Sequence, residues 1–469
     1  MIKKNILLFV FVFLYFDCIS QDSLQFLNAE QLLQLVRQFH PVARQADITV
    51  EKARADITIA RGNFDPVFSY DDANKTFNGI NYYNYTSPEI KIPTWYGIEV
   101  YGGVENLSGS RTDPTKTLGE SNYLGISVPL LKDLIIDKRR AALQQAKIFN
   151  NMAAAEKRII VNDLLLDAAD SYWHWVKAYQ TYIVIRNNVT INEKRFDLIK
   201  KIYQNGERPA IDTVEALAQL QSFVYKQNEY FLEFQNAGLD LSSFLWQESG
   251  QPYSLPETVV PQEGWENETN IQNFNLVLFD LLAAGEKFHP ELLANNFKLE
   301  ALDIEKKLKF QELLPTVDIK YNQLAKGNRI LETNDVVPLL ENNYQYGLKI
   351  EIPLRLSLGR GEYKMAKLKI EESTLDLVQK RLNIQLKIKS YYNEFITLRN
   401  QIDLQSKNYS NYQQLVKAEE TRFSNGESSL FLINIRESKA LEELEKLIEL
   451  KTKFYKNIYT LQWSAGLLQ

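Results

Sequence analysis

In YQYGLKIEIPL, Tyr344, Tyr346, Leu348, Ile350, Ile352 and Leu354 alternate with Gln345, Gly347, Lys349 and Glu351. That period of two predicts a strand with one apolar and one polar face. YLGISVPL repeats the pattern, with Leu124, Ile126, Val128 and Leu130 opposed to Gly125 and Ser127, and so do Val317, Ile319 and Tyr321 against Asp318 and Lys320. Elsewhere the pattern is helical on an unusual scale. From Leu130 to Asn205 there are 76 residues without Gly or Pro, and from Glu362 to Asn425 there are 64. Helices average about 11 to 12 residues, and at about 1.5 Å per residue these two would extend to roughly 110 and 95 Å.

A helix of that length needs apolar partners along its whole extent, because propensity contributes little beside packing. The helices expected after two Asn-Gly turns, at about 210–246 and 427–464, could be continued end to end by helices at about 40–61 and 289–313. Leu164, Leu165, Ala168, Ala169, Tyr172, Trp173 and Val176 fall on more than one helical face, as expected of a helix with neighbours on both sides.

The chain also matches itself. A shift of 249 residues places FHPVARQADITVEKARADITIARGNFDP on FHPELLANNFKLEALDIEKKLKFQELLP without a gap. LGISVPLL then answers LKIEIPLR, and YQNGERPAID answers FSNGESSLFL. This order of features predicts two repeats, 21–246 and 276–469, joined by a Pro-, Gly- and acid-rich linker over 247–275. His40-Pro41 and His289-Pro290 become equivalent helix starts, with each proline in a first turn.

Each repeat is expected to supply two strands, or four per chain; residues 94–107 could form a fifth strand or an extracellular hairpin, and the hairpin is favoured because the second repeat lacks this segment. Four strands cannot close a membrane barrel, and open sheet edges are not tolerated in hydrocarbon. Strands lying in lipid therefore require several copies of the chain. Tyr82, Tyr83, Tyr85, Trp95, Tyr96 and Tyr101 fit an interfacial aromatic girdle.

Lys3 and Lys4 precede the apolar run ILLFVFVFLYF, so residues 1–20 are expected to be a secretory signal. Its removal would take away Cys18, the only cysteine, and leave no disulfide or cysteine-ligated metal. The net charge of -5 argues against nucleic acid as a partner. No later segment approaches eighteen uninterrupted apolar residues, a pattern compatible with a barrel but not a membrane helix.

Catalytic candidates are thin. His174 in YWHWV has no carboxylate or histidine at helical metal-ligand spacing and is expected to pack between helices. Neither a phosphate-binding glycine loop nor a Gly-x-Ser-x-Gly turn is present. LEELEKLIELK is expected to be a solvated helix face. The reading is of a protein that is not an enzyme and needs no cofactor.

The paired openings HPVARQADITVEKARADITIARGNFDP and HPELLANNFKLEALDIEKKLKFQELLP, with NGERPAIDTVEALAQL and NGESSLFLINIRESKAL at the turns, resemble the TolC family of outer-membrane efflux and secretion channels. The resemblance covers Asp22 to Leu468. It implies a mainly α protein with membrane β structure: a homotrimer pooling its strands into a twelve-stranded β-barrel in outer-membrane lipid, continued by a periplasmic α-helical barrel. It implies a passive export duct in the outer membrane of a Gram-negative bacterium, extending into the periplasm. The duct would serve a tripartite efflux or type I secretion system, with a periplasmic adaptor and an inner-membrane transporter of RND, ABC or MFS type.

The turns at Gly206 and Gly426 would then form the constricted periplasmic end and the adaptor-docking site. The resemblance assigns gate positions to Asp212 and Glu215 in the first repeat and to Leu432 and Ile435 in the second, where familiar members carry acids. Ser428 stands where an arginine latch is expected, and Phe423 replaces a tyrosine. These departures imply a gate held by apolar contact more than by ion pairs. Two other classes fit parts of the sequence: a periplasmic adaptor, with one helical hairpin rather than two, and a secreted helical pore-former or coiled-coil scaffold, which the alternating strands oppose.

Overall fold

The computed structural model describes residues 25–113, 115–327 and 342–468; the expected signal segment 1–20 lies outside them. In the first half the elements are β1 (Gln25–Leu27), α1 (Ala29–Phe39), α2 (Pro41–Gly62), β2 (Val67–Phe77), β3 (Ile80–Pro93), β4 (Glu99–Ser108), β5 (Gly119–Pro129), α3 (Lys138–Gln204) and α4 (Ala210–Ser242). There follow β6 (Val259–Pro261), α5 (Glu268–Asn273), α6 (Leu278–Phe288), α7 (Pro290–Gln311), β7 (Thr316–Lys326), β8 (Tyr344–Glu351), α8 (Ser357–Ser424) and α9 (Leu430–Ser464). Helices come in matched lengths: α1 and α6 have 11 residues, α2 and α7 have 22, and α3 and α8 have 67 and 68. Among the described residues no helix is long and apolar enough to cross a membrane.

Two of the three histidines are caps. His40 and His289 sit just before α2 and α7 with extended backbones, and each Nδ1 accepts a hydrogen bond from a helix N–H, Val42 N at 3.2 Å and Glu291 N at 3.3 Å. A proline at the first helical position loses no bond, since that N–H would be orphaned anyway.

Two long helices begin differently from their Gly- and Pro-free limits. α3 starts at Lys138 rather than Leu130, because Asp133 takes a positive φ of 66° and the Asp137 carboxylate caps the helix through Arg140 N at 2.8 Å. α8 starts earlier than Glu362, at Ser357, and contains Gly359. A Cβ there would lie 3.2 Å from the Glu312 carbonyl, so the glycine permits close approach to the end of α7.

The chain divides into two compact units, each drawing on both halves of the sequence. The sheet unit takes Arg37–Asp167, Asn275–Thr397 and Lys456–Gln469. Its six-stranded antiparallel sheet has the order β2-β3-β4-β5-β7-β8. Among the described residues the expectation of four strands in the sheet is therefore corrected to six. Residues 94–107 do not form a separate hairpin: after the turn closed by Thr94 and Ile98, β4 pairs with both β3 and β5. The first half carries four of the strands because its polar turns at Asn78-Gly79 and after Pro93 fold VFSYDDANKTF and INYYNYTSPEIKIP into an additional hairpin.

The alternation is realised in the rows of the sheet nearest the helices. One face carries the row Ile92, Val100, Ile126, Tyr321 and Tyr346, with Phe68, Ile90, Leu124, Ile319, Leu348 and Ile350 beside it. Apart from the half-buried Val100, these side chains are exposed in the single chain, Tyr346 at 73% and Leu348 at 58%. The opposite face carries Lys91, Tyr101, Gly125, Asn322 and Gln345 in one row, and Glu89, Gly103 and Tyr123 in the next.

Two tyrosines of that polar face, Tyr101 and Tyr123, each lie over a glycine of the adjacent strand and bond one strand further on. Tyr101 crosses Gly125 to donate to Asn322 Oδ1 at 2.6 Å, and Tyr123 crosses Gly103 to donate to Glu89 Oε2 at 2.7 Å. Tyr85 reaches Glu105 on the same face at 3.2 Å. The girdle expectation is thus corrected for Tyr85 and Tyr101, which face the polar side. Trp95 instead stacks on Phe64, centroids 4.3 Å apart, where α2 leads into the sheet.

Within the same unit α2 lies along the first turns of α3 through Ala60, Phe64, Leu143 and Ala146. α7 is tied to α8 by Lys309, which bonds Glu312 and Glu362 at 3.2 and 3.1 Å.

The hairpin unit takes the chain through Val36, Ala168–Phe274 and Leu398–Tyr455. There α4 runs back along α3, with Phe234 against Trp175, Tyr179 and Tyr182, and Ile185, Val189, Phe223 and Leu441 form a buried cluster. β1 and β6 pair in parallel. Trp265, in the expected linker, packs edge-on to Trp173, which stacks on Tyr455 at 4.7 Å. His174 does not pack between helices. It is exposed, one position out of step with the buried Tyr172, Trp173, Trp175 and Val176.

Candidate functional site at the hairpin turns

Both turns are built alike. Gly206 N–H bonds the Tyr203 carbonyl and Glu207 N–H the Ile202 carbonyl, at 2.9 and 3.2 Å; Gly426 and Glu427 repeat this on Phe423 and Arg422, at 3.0 and 2.8 Å. The pattern is a Schellman motif, which needs a left-handed residue after the helix. Gly206 and Gly426 supply it with φ of 77° and 80°. The sequence NGE therefore ends the two longest helices at defined positions.

Packing then joins the two turns. Ile199, Ala216 and Leu430 form a buried cluster with Phe196 and Phe423 against it, so residues of α3, α4, α8 and α9 meet there. Arg208 is the polar tie: it donates to the Phe423 carbonyl at 3.1 Å, its guanidinium lies 4.1 Å from the Phe423 ring centre, and it stands 3.6 Å from Asp212. Ser428 does not link the two turns. Its hydroxyl donates to Glu419 at 2.5 Å, inside its own α8–α9 hairpin, and Arg422 approaches the same carboxylate at 3.4 Å.

The predicted gate residues separate into two groups. Asp212 and Glu215 are half-buried and engaged, Asp212 with Arg208 and Glu215 with Asn434 Nδ2 at 3.3 Å. Burial raises the Glu215 carboxyl above the usual carboxylate range; the Asn434 hydrogen bond opposes this and the Asp212 charge adds to it. Leu432 and Ile435 are exposed, beside Phe431 and opposite in character to the acids. On α4, Ile211, Val214 and Leu217 make an exposed apolar stripe at helical spacing.

Sequence reasoning overlooked Arg208, although it lies in the quoted NGERP. It also missed the ion-pair network behind the turns, where Arg195 bonds the buried Glu437 at 2.7 Å and the exposed Glu420 at 3.1 Å. Charges separated by more than 200 residues carry no local signature. Among the described residues no group of three His, Cys, Asp or Glu side chains could hold a metal ion.

No protein-family profile and no curated protein matches the sequence. Solved structures do match. CusC, whose crystal structures concern folding and transmembrane channel formation, superposes with a TM-score of 0.67 at 15% identity, over 93% of this chain and 92% of that one. The outer-membrane protein VceC of Vibrio cholerae gives 0.63 at 15% identity, over 93% and 96%. The CmeC outer-membrane channel of Campylobacter jejuni gives 0.61 at 15% identity, over 93% and 85%. The chain has the fold of the TolC-family outer-membrane channels.

Proposed function

We propose that this protein is an outer-membrane channel, the passive export duct of a tripartite efflux system or a type I secretion system. The observation that carries the reading is the two-faced sheet. An exposed apolar face across six strands suits lipid, while the opposite face, with Glu89, Glu105, Lys320 and Asn322, suits a water-filled lumen. The location is then the outer membrane of a Gram-negative bacterium, with the helices in the periplasm.

The working form is a homotrimer. β2 and β8 are open edges, and an open edge in lipid leaves backbone groups unbonded. Three sheets of six would place eighteen strands in one closed barrel. The exposed stripe Ile211, Val214 and Leu217 and the neighbouring Leu432 and Ile435 are then covered by adjacent copies and by a periplasmic adaptor, itself coupled to an inner-membrane transporter. The gate closes on apolar contact from Leu432 and Ile435, with Asp212 and Glu215 held by partners.

Membrane fractionation followed by mass measurement in detergent tests the reading. A detergent-requiring outer-membrane trimer that opens channels in planar bilayers supports it. A soluble periplasmic monomer sinks it and favours the adaptor alternative.

A further inference from the structure

We infer that the segment joining β4 to β5 is strapped across the polar face of the sheet and sets the size limit at the channel's mouth; this rests on the channel reading above. The segment follows Ser108 at the end of the sheet away from α2 and α3. In a flat sheet β3 and β8 would stand four inter-strand spacings apart, roughly 19 Å at about 4.8 Å each. Yet two consecutive residues of the segment touch both strands. Lys116 Nζ lies 3.2 Å from the ring centre of Tyr85 on β3, and the Thr115 carbonyl accepts from Gln345 Nε2 on β8 at 3.4 Å. Tyr85 and Gln345 both belong to the polar face. That face is therefore concave, and the segment bridges its opening.

The strap is fixed rather than swinging. At its start, Arg111 N–H bonds the Tyr82 carbonyl at 2.9 Å, and the guanidinium lies 4.9 Å from the Tyr82 ring. Ser110 Oγ donates to the Asn81 carbonyl at 2.7 Å, and Asp113 accepts from both Thr115 N and Oγ1. Leu107 and Ser121, on the polar face where the segment leaves and rejoins the sheet, are 3% exposed. A strand pair joined by a free loop would leave such positions open to water. A bridge anchored on both sides of a concave polar wall narrows the passage without closing it. It excludes bulky solutes by size, while Lys116 and Arg111 place positive charge at the rim.

The experiment has two arms. In purified, detergent-solubilised protein, Thr115→Cys with Gln345→Cys should be bridged by a short bismaleimide as efficiently as the adjacent-strand pair Asn322→Cys with Gln345→Cys. In planar bilayers, replacing residues 112–117 by two glycines should raise single-channel conductance severalfold. Tyr85→Leu should give part of that rise, and Tyr85→Phe, which keeps the ring under Lys116, none. The strap is overturned if the control pair is bridged and the Thr115 pair is not, or if neither the shortened segment nor Tyr85→Leu changes conductance. A wild-type protein that conducts nothing overturns the channel reading itself, and the mouth limit with it, whatever the cross-linking shows.

Discussion

The Arg208 guanidinium lies over the ring of Phe423 and donates to that residue's own carbonyl, so a single side chain fastens the first hairpin turn to the second. The contact combines a cation–π interaction with a hydrogen bond, each worth about 1 kcal/mol. Arg208→Ala should lower the barrier to separating the turns and raise channel open probability in planar bilayers. Arg208→Lys, which keeps the charge but loses the planar fork, should fall between. Unchanged opening in Arg208→Ala would remove this residue from the gate.

Leu432 is exposed where an acid would create a charged ring. Leu432→Asp should introduce block by multivalent cations from the periplasmic side that the wild type lacks. Strong block of the wild type would show that the constriction already carries negative charge, against the apolar gate.

His289 titrates with a defined sign. Burial, with help from Lys387 and Arg158 and against Asp163, lowers its pKa to about 4, and the neutral ring is the form that caps α7. A histidine depressed on folding stabilises the folded state above its unfolded value near 6.5 and loses that contribution as pH falls towards 4. The span corresponds to about 3 kcal/mol. Acid unfolding followed by circular dichroism should show this loss between pH 6.5 and 4. His289→Asn, which retains a cap without a titrating ring, should flatten that part of the profile.

Gly125 leaves room for Tyr101. A Cβ at that position would run into Asn322 Oδ1 and stand 2.5 Å from the Tyr101 ring. Gly125→Ala should displace the tyrosine, break its bond to Asn322 and cost about 1 to 3 kcal/mol. A lowered midpoint of thermal unfolding checks it, and Gly79→Ala, whose Cβ would meet nothing within 4 Å, tests turn strain alone.

The two sheet faces should respond oppositely to charge. Leu348→Arg on the apolar face should cost about 2 to 4 kcal/mol in a lipid-embedded strand, whereas Gly347→Arg on the polar face should leave assembly intact and alter conductance. Equal tolerance at both positions would contradict lipid contact.

Much of this was legible because the signals are local. The paired lengths of Gly- and Pro-free sequence, the NGE turns and the His-Pro starts each fix a backbone event within a few residues. The strand count was misjudged because VFSYDDANKTF and INYYNYTSPEIKIP carry polar residues on both faces near their shared turn, which blurs the period of two. The start of α3 was misjudged because Asp133, neither glycine nor proline, takes the left-handed conformation. At the turns, the glycines and the exposed Leu432 and Ile435 were readable, while Arg208 acts across 215 residues and so declares its role only in the folded chain.

The additional hairpin of the first half has a consequence for symmetry. Strands run alternately along β2, β3, β4, β5, β7 and β8, so with an even number the two outer edges point in opposite directions. When identical copies meet around a ring, β8 of one then lies antiparallel to β2 of the next, and every seam has the same ladder as the interior of a sheet. A single added strand would have made each seam parallel, of different spacing and slanted bonding. Parity therefore restricts how such a sheet can grow: strands enter or leave in pairs, and a hairpin is the smallest insertion that lets the ring still close.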